Sequence, residues 1–304
     1  MQMCFLSMPM VVSRALSLVR PRPDISTSSP RQPMTPFRVL LYTLPTVMGM
    51  VIVFANQKGG VGKTTTTVSL GAAVAQAGAS VLLVDFDPQG NLSSSVNADR
   101  DLPGIYQVLS GDCSPEAAVQ GTPQKRLSII AGGADLTGAS VELVQEDKRE
   151  FFLRDALAPL RDSYDFIFVD SPPSLGILTV NALVAADHVI VPLQCEYFAL
   201  EGLTQLLQSI RRIQGSLNTN LNIFGIVLTM YDSRIRLAND VIREVSKHFG
   251  RRVFRTLIPR NVRLSEAPSH GVPINQYDPS SVGAKSYDKL AEEVLNRAKE
   301  YAPR

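Results

Sequence analysis

The chain has 304 residues, of which 45% are hydrophobic and 19% are charged, which is enough apolar material for one large domain or at most two. Thirty lysines and arginines against 28 aspartates and glutamates give a net charge of +2, which excludes an overall polybasic protein. Three cysteines without metal-like spacing exclude a disulfide framework and favour a reducing, intracellular setting. No stretch approaches the roughly 18 to 20 apolar residues of a membrane span.

The near-balanced charge conceals two local excesses. Residues 1–49 carry five arginines and one acid, a net charge of +4. The window 234–263 carries nine basic residues and two acids, a net charge of +7, so the rest of residues 50–304 is acidic. A basic window on an acidic body indicates a polyanionic partner.

Residues 1–49 are predicted to lie outside the fold, as a poorly ordered extension to a single domain over 50–304. The segment contains seven prolines, which block helix interiors and central strands. Its arginine- and serine-rich start resembles an organellar transit peptide. Alternatively, translation starts at Met48 or Met50, directly before a strong strand pattern. The intact mass of the natively produced protein tests this start, because a species that begins at Met1 would exclude it.

From residue 51 onward, short apolar runs alternate with helical patterns. The runs are mostly continuous and β-branched, which indicates strands buried on both faces. This alternation predicts an α/β fold, a doubly wound, mostly parallel sheet with helices on both faces. The predicted strands are 51–55, 80–85, 127–131, 165–170, 187–192, 222–230 and 253–258. The predicted helices are 64–77, 149–160, 175–185, 198–213, 237–249 and 285–299.

The first strand runs directly into a glycine-rich loop, Asn56-Gln57-Lys58-Gly59-Gly60-Val61-Gly62-Lys63-Thr64-Thr65, and then a helix. Glycines let backbone N–H groups converge on phosphate oxygens, and the helix N-terminus adds a positive dipole end. Lys63 is then placed to bridge the β- and γ-phosphates, Thr64 to bind Mg²⁺ and Thr65 to donate to a nearer phosphate. A glycine-rich turn before a structural helix would leave the Lys-Thr pair unexplained.

Two further strands end in carboxylates. Asp85-Phe86-Asp87-Pro88-Gln89-Gly90 closes one, and Asp170-Ser171-Pro172-Pro173-Ser174 closes another. Ligands of doubly wound sheets bind beyond the carboxyl ends of the strands. A buried strand that delivers one carboxylate follows the Walker B arrangement, so Asp170 is predicted to be a Mg²⁺ partner. Taken alone, an aspartate at a strand end is more commonly a turn or capping residue.

The loop departs from the common pattern G-x-x-x-x-G-K-[ST], because Gln57 occupies the first glycine position and Lys58 follows it. In this form it resembles the deviant Walker A P-loop family, and within it the ParA/Soj chromosome- and plasmid-partitioning ATPases. The runs around Pro88-Gln89-Gly90, Pro172-Pro173-Ser174 and 259–271 are similar to the same family. The resemblance extends over residues 50–304.

The resemblance implies specific roles for single residues. Lys58 would reach across a nucleotide-sandwich dimer to the partner's ATP, and Asp87 would orient the attacking water, with Asp85 as a support of the metal shell. The implied catalytic residues are Lys58, Lys63 and Asp87, and the implied metal residues are Thr64 and Asp170. The implied nucleotide site comprises Lys58, Gly59, Gly60, Gly62, Lys63, Thr64, Thr65, Pro259 and Asn261, with Pro259 and Asn261 framing the adenine.

The resemblance also implies a function: a Mg-ATPase that forms an ATP-dependent homodimer, binds DNA non-specifically and drives chromosome or plasmid segregation with a ParB-type centromere-binding protein. Arg234 and Arg263 would contact DNA, which would account for the basic window, since phosphate contacts release counterions. The alternative for that window is a solvated helix face. We expect a cytoplasmic, nucleoid-associated protein without stable membrane association.

Two rival functions remain at this point. A MinD-like membrane-cycling ATPase would need a basic amphipathic C-terminal tail, and Ala302-Pro303-Arg304 after a mixed-charge helix is a poor one. A P-loop enzyme acting on a small molecule predicts turnover driven by its substrate and no need for DNA.

Overall fold

The computed structural model describes residues 49–196 and 199–301. The expectations for residues 1–48, and the argument from the tail at 302–304, lie outside the described residues.

Within the described residues, eight strands form one sheet in the order β3-β4-β2-β5-β1-β6-β7-β8. Neighbouring strands are parallel except for β3 and β4, which pair antiparallel at one edge. The strands are β1 (Met50–Phe54), β2 (Val81–Asp85), β3 (Val119–Gly121), β4 (Leu127–Ile130), β5 (Phe166–Asp170), β6 (His188–Gln194), β7 (Asn222–Tyr231) and β8 (Val253–Pro259). The predicted doubly wound fold is confirmed, and β3 is the strand that the sequence did not predict.

The helices connect the strands across both faces of the sheet. They are α1 (Lys63–Gln76), α2 (Asn91–Ser95), α3 (Ile105–Ser110), α4 (Leu136–Glu142), α5 (Phe152–Leu157), α6 (Ile177–Ala185), α7 (Ala199–Ser216), α8 (Arg236–Phe249), α9 (Val262–Glu266), α10 (Ile274–Tyr277) and α11 (Val282–Ala298). The helix predicted over 149–160 is wrong in extent. Only α5 is α-helical there, and the 3₁₀ segment Ala158–Ser163, with Pro159 in its first turn, follows it.

The hydrophobic core lies on both sides of the sheet. In β1, Met50, Ile52 and Phe54 pack with α1 and α11, whereas Val51 and Val53 pack with α6, α7 and α8. Each face of the strand packs against its own layer of helices. The sequence of the strand is therefore a continuous apolar run. None of the described helices combines the length and apolar character needed to cross a membrane.

Candidate active site

The loop between β1 and α1 takes its shape from two glycines. Gly60 and Gly62 have φ values of 72° and 85°, a left-handed conformation that favours glycine. A Cβ atom at Gly60 would meet nothing within 4 Å, so the backbone conformation and not crowding favours glycine there. Gly62 precedes α1 without a side-chain cap, so the N–H groups of the first turn are left for a ligand.

The ends of β6 and β7 hold this loop in place. The Thr229 hydroxyl donates to the Val61 carbonyl at 2.8 Å, and the Asn56 amide donates to the Pro192 carbonyl at 2.7 Å. The Asn56 side-chain oxygen in turn accepts from the backbone N–H of Lys58 at 3.1 Å. The loop conformation is therefore set by neighbouring strands as well as by its glycines.

The Lys63 ammonium is buried at the centre of the site, with 7% of the residue exposed. Its one recorded hydrogen bond within the described chain is to the Lys58 carbonyl, at 3.4 Å. Burial lowers the pKa of Lys63, and the negative charges of Asp170 and Asp87 act in the opposite direction. A buried ammonium with three donors and one long hydrogen bond lacks acceptors, and phosphate oxygens would supply them.

Asp170 ends β5 and is fully buried. The Thr64 hydroxyl donates to its Oδ2 at 2.6 Å, which places the first turn of α1 against the end of β5. Strand register aligns Asp170 with Phe54 on one side and with Asp85 on the other. Burial raises the pKa of Asp170, and the charge of Asp85 raises it further.

Asp85 is occupied by contacts within the protein. Its Oδ2 accepts from the backbone N–H and the hydroxyl of Ser93, each at 2.7 Å, and its Oδ1 accepts from the Asp87 N–H at 3.3 Å. Burial raises the pKa of Asp85 to about 6. These contacts fix the turn that carries Asp87, so Asp85 positions its neighbour in addition to raising the pKa of Asp170.

Asp87 lies in that turn and is 6% exposed. Its Oδ1 accepts from the Gln89 N–H at 3.0 Å. The negative charge of Asp87 acts to raise the pKa of Lys63, in opposition to the effect of burial. The structure thus gathers Lys63, Thr64, Asp87 and Asp170 at one end of the sheet, where the sequence predicted them.

The residues at this end fit a magnesium ion held jointly with a nucleotide. Thr64 and Asp170 offer hydroxyl and carboxylate oxygens, the hard donors that Mg²⁺ prefers. In residues 49–196 and 199–301, no group of three or more His, Cys, Asp or Glu side chains could hold a metal alone. A protein commonly binds Mg²⁺ through one or two carboxylates, with substrate phosphates as further ligands.

Lys58 is held by residues at the end of β6 in the same chain. Its ammonium lies 3.0 Å from Glu196 Oε2 and 3.3 Å from Gln194 Oε1. The lysine and glutamate side chains are 38% and 46% exposed, so the pair is open to solvent. The sequence did not indicate Gln194 or Glu196, although Gln194 ends a buried strand and Glu196 follows it at the carboxyl edge of the sheet.

Of the remaining predicted nucleotide residues, Thr65 lies beside the glycine-rich loop, whereas Pro259 and Asn261 lie further along the same edge of the sheet. Thr65 is half-buried in the first turn of α1. Pro259 ends β8, three strands from β1, or about 14 Å at the usual strand spacing. The Asn261 side-chain oxygen accepts from the Arg263 N–H at 2.8 Å and caps α9. The adenine role of Pro259 and Asn261 stays a prediction.

The two arginines predicted to contact DNA lie outside the loop and are paired within the chain. The Arg234 side chain is 87% exposed and forms a bidentate ion pair with Asp232. Its Nε lies 2.9 Å from Asp232 Oδ1, and a terminal guanidinium nitrogen lies 2.6 Å from Oδ2. Arg263 lies 2.8 Å from Glu266 and 3.5 Å from Asp278. A polyanion would therefore compete with carboxylates of the protein for both side chains.

Four features together define a P-loop ATPase. They are a mostly parallel sheet, a glycine-rich loop that leads into an uncapped helix, a buried lysine and an aspartate at the end of a strand. Residues 49–223 match the family model described as an AAA domain. The chain is 56% identical over 250 residues to "Chromosome-partitioning ATPase Soj" of Treponema pallidum, covering 82% of this chain and 98% of that protein. It is 50% identical over 259 residues to "Chromosome partitioning protein ParA" of Myxococcus xanthus, covering 84% and 92%.

Solved structures agree with this class. A Mycobacterium smegmatis structure described as cobyrinic acid a,c-diamide synthase with bound ADP and magnesium is 40% identical, with a TM-score of 0.73, covering 84% of this chain and 97% of that one. The Pyrococcus furiosus cell division ATPase MinD is 28% identical, with a TM-score of 0.68, covering 82% and 99%. The chain belongs to the ParA/Soj family of chromosome-partitioning ATPases, as its motifs predicted.

Proposed function

We propose that this chain drives the segregation of a chromosome or plasmid as a Mg²⁺-dependent ATPase, whose ATP-bound form is a DNA-binding homodimer that responds to a ParB-type partner. The observation that carries the proposal is the convergence of Lys63, Thr64, Asp87 and Asp170 on an uncapped helix N-terminus. The names of the relatives support the partitioning role.

Each group at the site has a definite chemical task in this proposal. The N–H groups of the loop and the Lys63 ammonium bind phosphate oxygens, which supply the acceptors that the buried lysine lacks. Thr64 and Asp170 hold Mg²⁺, which neutralises charge on the phosphates when bound. Asp87 accepts a hydrogen bond from the attacking water and so orients it toward the γ-phosphate.

Lys58 links hydrolysis to dimerisation. Held by Glu196 and Gln194, its ammonium lies against its own subunit. In the dimer it would exchange those contacts for the partner's triphosphate and add a second cation where charge develops in the transition state. Two subunits would then be joined only while the γ-phosphate is present, which is the differential contact that a nucleotide switch requires.

DNA binding is assigned to Arg234 and Arg263. Both are exposed and lie at the carboxyl edge of the sheet, just after β7 and in α9. A dimer presents two copies of each, and every phosphate contact adds to the salt-dependent binding term, so dimerisation would raise DNA affinity steeply.

A second candidate function comes from the M. smegmatis neighbour, whose description names an enzyme that makes a small-molecule amide. Under that alternative, turnover needs a carboxylic acid substrate and an amide nitrogen donor, and DNA has no effect. The greater identity to the partitioning ATPases favours the first proposal.

One experiment tests the proposal directly. ATP hydrolysis by the full chain is measured alone, with duplex DNA, with a candidate ParB-type protein and with both. We expect the rate to rise most with both present, and Lys63→Ala to abolish the rate under every condition because the triphosphate loses its buried cation. A rate that neither DNA nor the partner protein changes, in a chain that does not bind DNA with ATP, would reject the proposal.

A further inference from the structure

Near its end, beside the phosphate loop, β7 has an irregular backbone at Met230. The φ value of Met230 is 52°, a left-handed conformation that a non-glycine residue adopts only at a cost in free energy. The pairing with β8 shifts at the same place, because the three steps from Leu228 to Tyr231 match only two steps on β8. β7 therefore contains a β-bulge, and a left-handed position in a bulge favours glycine. A methionine at this position needs a reason.

The sulfur of Met230 provides that reason. The side-chain amide of Gln194, at the end of β6, donates from Nε2 to Met230 Sδ at 3.0 Å, and its Oε1 accepts from the Lys58 ammonium at 3.3 Å. Gln194 is buried, so the amide is shielded from water. An ammonium only donates, so the amide must turn its oxygen toward Lys58 and its NH₂ group toward the sulfur. Lys58 therefore fixes the orientation of the amide that holds Met230.

The bulge adjoins both the phosphate loop and the turn before α8. Thr229, the residue before Met230, donates to the Val61 carbonyl of the loop at 2.8 Å. Arg234 follows Met230 by four residues, in the turn that leads into α8. A strained backbone persists only while its surroundings hold it, so loss of a contact to Met230 would release the start of this turn.

We propose that the Met230 bulge is a coupling element that Lys58 controls, with Gln194 as the positioning residue between them. While Lys58 contacts Gln194, the amide holds the sulfur and the left-handed backbone in place. When Lys58 leaves for the partner's triphosphate, the amide is free to turn, the backbone at Met230 relaxes and the turn that carries Arg234 moves. The inference rests on the proposed function, because it uses the role of Lys58 across the dimer.

Two substitutions of Met230 test the hydrogen bond and the backbone strain separately. Dimerisation of the full chain with a non-hydrolysable ATP analogue is measured by sedimentation equilibrium. Met230→Leu removes the sulfur but keeps the strain, so the free subunit loses a contact that the dimer does not use, and the dimer should become several-fold tighter. Met230→Gly also removes the sulfur but relieves the larger cost of the left-handed backbone in the free subunit, so the dimer should become about fivefold weaker.

The opposite signs of these effects exclude general damage to the fold, which would weaken the dimer in both variants. The matched control for the glycine substitution is Lys148→Gly. Lys148 is exposed and has a φ value of 57°, so its replacement relieves a similar conformation elsewhere and should leave the dimer unchanged.

A single tryptophan reports the movement of the turn. The sequence contains no tryptophan, and Ile235 is exposed at the end of the turn, so Ile235→Trp introduces one fluorophore there. In this reporter protein without nucleotide, Gln194→Met removes both hydrogen bonds of the amide at similar volume. It should shift the emission in the direction in which the analogue shifts it in the unmodified reporter. Gln208→Met, at an exposed glutamine of α7, is the matched control and should not.

Gln194→Glu separates the two contacts of the amide. A carboxylate still binds Lys58 but has no NH₂ group to donate to the sulfur of Met230. The reporter emission should therefore shift without nucleotide, as in Gln194→Met, whereas the analogue-dependent dimer should become weaker because Lys58 is held more strongly. An emission that stays at the unmodified value in Gln194→Glu would contradict the role of the amide NH₂ group.

The outcomes distinguish the inference from the proposed function. If Met230→Leu and Met230→Gly change the dimer in the same direction, or both behave like Lys148→Gly, the bulge is not a coupling element. A dimer that forms with the analogue while the reporter emission stays constant also overturns the inference and leaves the proposed function in place. If the unmodified chain does not dimerise with the analogue, the proposed function fails together with the inference.

Discussion

At the scale of single residues, the contact between Lys58 and Glu196 opposes the proposed dimer. The exposed pair must break before the lysine reaches a partner's triphosphate, and such a pair is worth about 0.5 kcal/mol. Because a dimer breaks two pairs, Glu196→Gln should strengthen analogue-dependent dimerisation by about 1 kcal/mol, or roughly fivefold, in sedimentation equilibrium.

Glu201→Gln, an exposed acid in the first turn of α7, is the matched control and should leave the dimer unchanged. A weaker dimer in Glu196→Gln would contradict the prediction. It would show that Glu196 holds Lys58 ready for the partner and does not retain it in the free subunit.

His188 makes a second prediction at this scale, on stability. It is buried beside Phe224 and Tyr301, its Nδ1 has no partner in the described structure, and burial lowers its pKa to about 4. Between about pH 6.5 and pH 4 the unfolded chain binds a proton here that the folded chain does not. The contribution of His188 to the free energy of unfolding is therefore fully present above pH 6.5. It is lost as the pH falls from 6.5 towards 4.

Denaturant unfolding of the chain and of His188→Leu, at pH 7.5 and pH 4.5, isolates this contribution. The raised pKa values of Asp85 and Asp170 act with the opposite sign but are common to both proteins. We expect the difference in unfolding free energy between the two proteins to change by about 2 to 3 kcal/mol in favour of the variant at the lower pH. An equal pH dependence of both proteins would refute the prediction.

At the scale of elements, the site depends on how the ends of neighbouring strands support the loop. Thr229→Val keeps the shape of the side chain but removes the donor to the buried Val61 carbonyl. An unsatisfied buried carbonyl costs about 1 to 3 kcal/mol, so the variant should unfold at a lower denaturant concentration. A displaced loop should also raise the KM for ATP more than it changes kcat, and Thr229→Ser should restore both by returning the hydroxyl.

The elements that the sequence predicted well are those with a strong local pattern. The seven predicted strands and the long helices α1, α7, α8 and α11 carry continuous apolar runs or clear helical spacing, and the strand-end rule located Asp87 and Asp170. The short elements β3 and α2 have too few residues for a pattern to show.

The missed site residues are missed for a different reason. Ser93, Thr229 and Glu196 act through contacts with residues that are not adjacent in the sequence, since their partners are 8, 168 and 138 residues away in the chain. A single sequence without a fold does not contain those pairings. The exception is Glu196, which the strand-end rule could have identified, because Cys195-Glu196 directly follows β6 at the same edge of the sheet.

At the scale of the whole molecule, ATP-dependent dimerisation and ATP hydrolysis are two steps of the proposed cycle. A variant that binds the nucleotide but does not hydrolyse it should separate them. Asp87 has no recorded hydrogen bond to the loop, whereas Lys63 is in the first turn of α1 itself. Asp87→Ala should therefore bind ATP, lose most of its hydrolysis and accumulate as a DNA-bound dimer. Size-exclusion chromatography with ATP, in parallel with the rate of phosphate release, measures both effects.

Lys63→Ala is the matched comparison, because it should remain a monomer at every ATP concentration. An Asp87→Ala protein that hydrolyses ATP at the unmodified rate would remove Asp87 from the water-orienting role. An Asp87→Ala protein that binds ATP, does not hydrolyse it and stays a monomer would separate nucleotide binding from dimerisation. Lys58 would then not reach the triphosphate of a partner. Its contacts with Glu196 and Gln194 would be the only contacts of that side chain in the nucleotide switch.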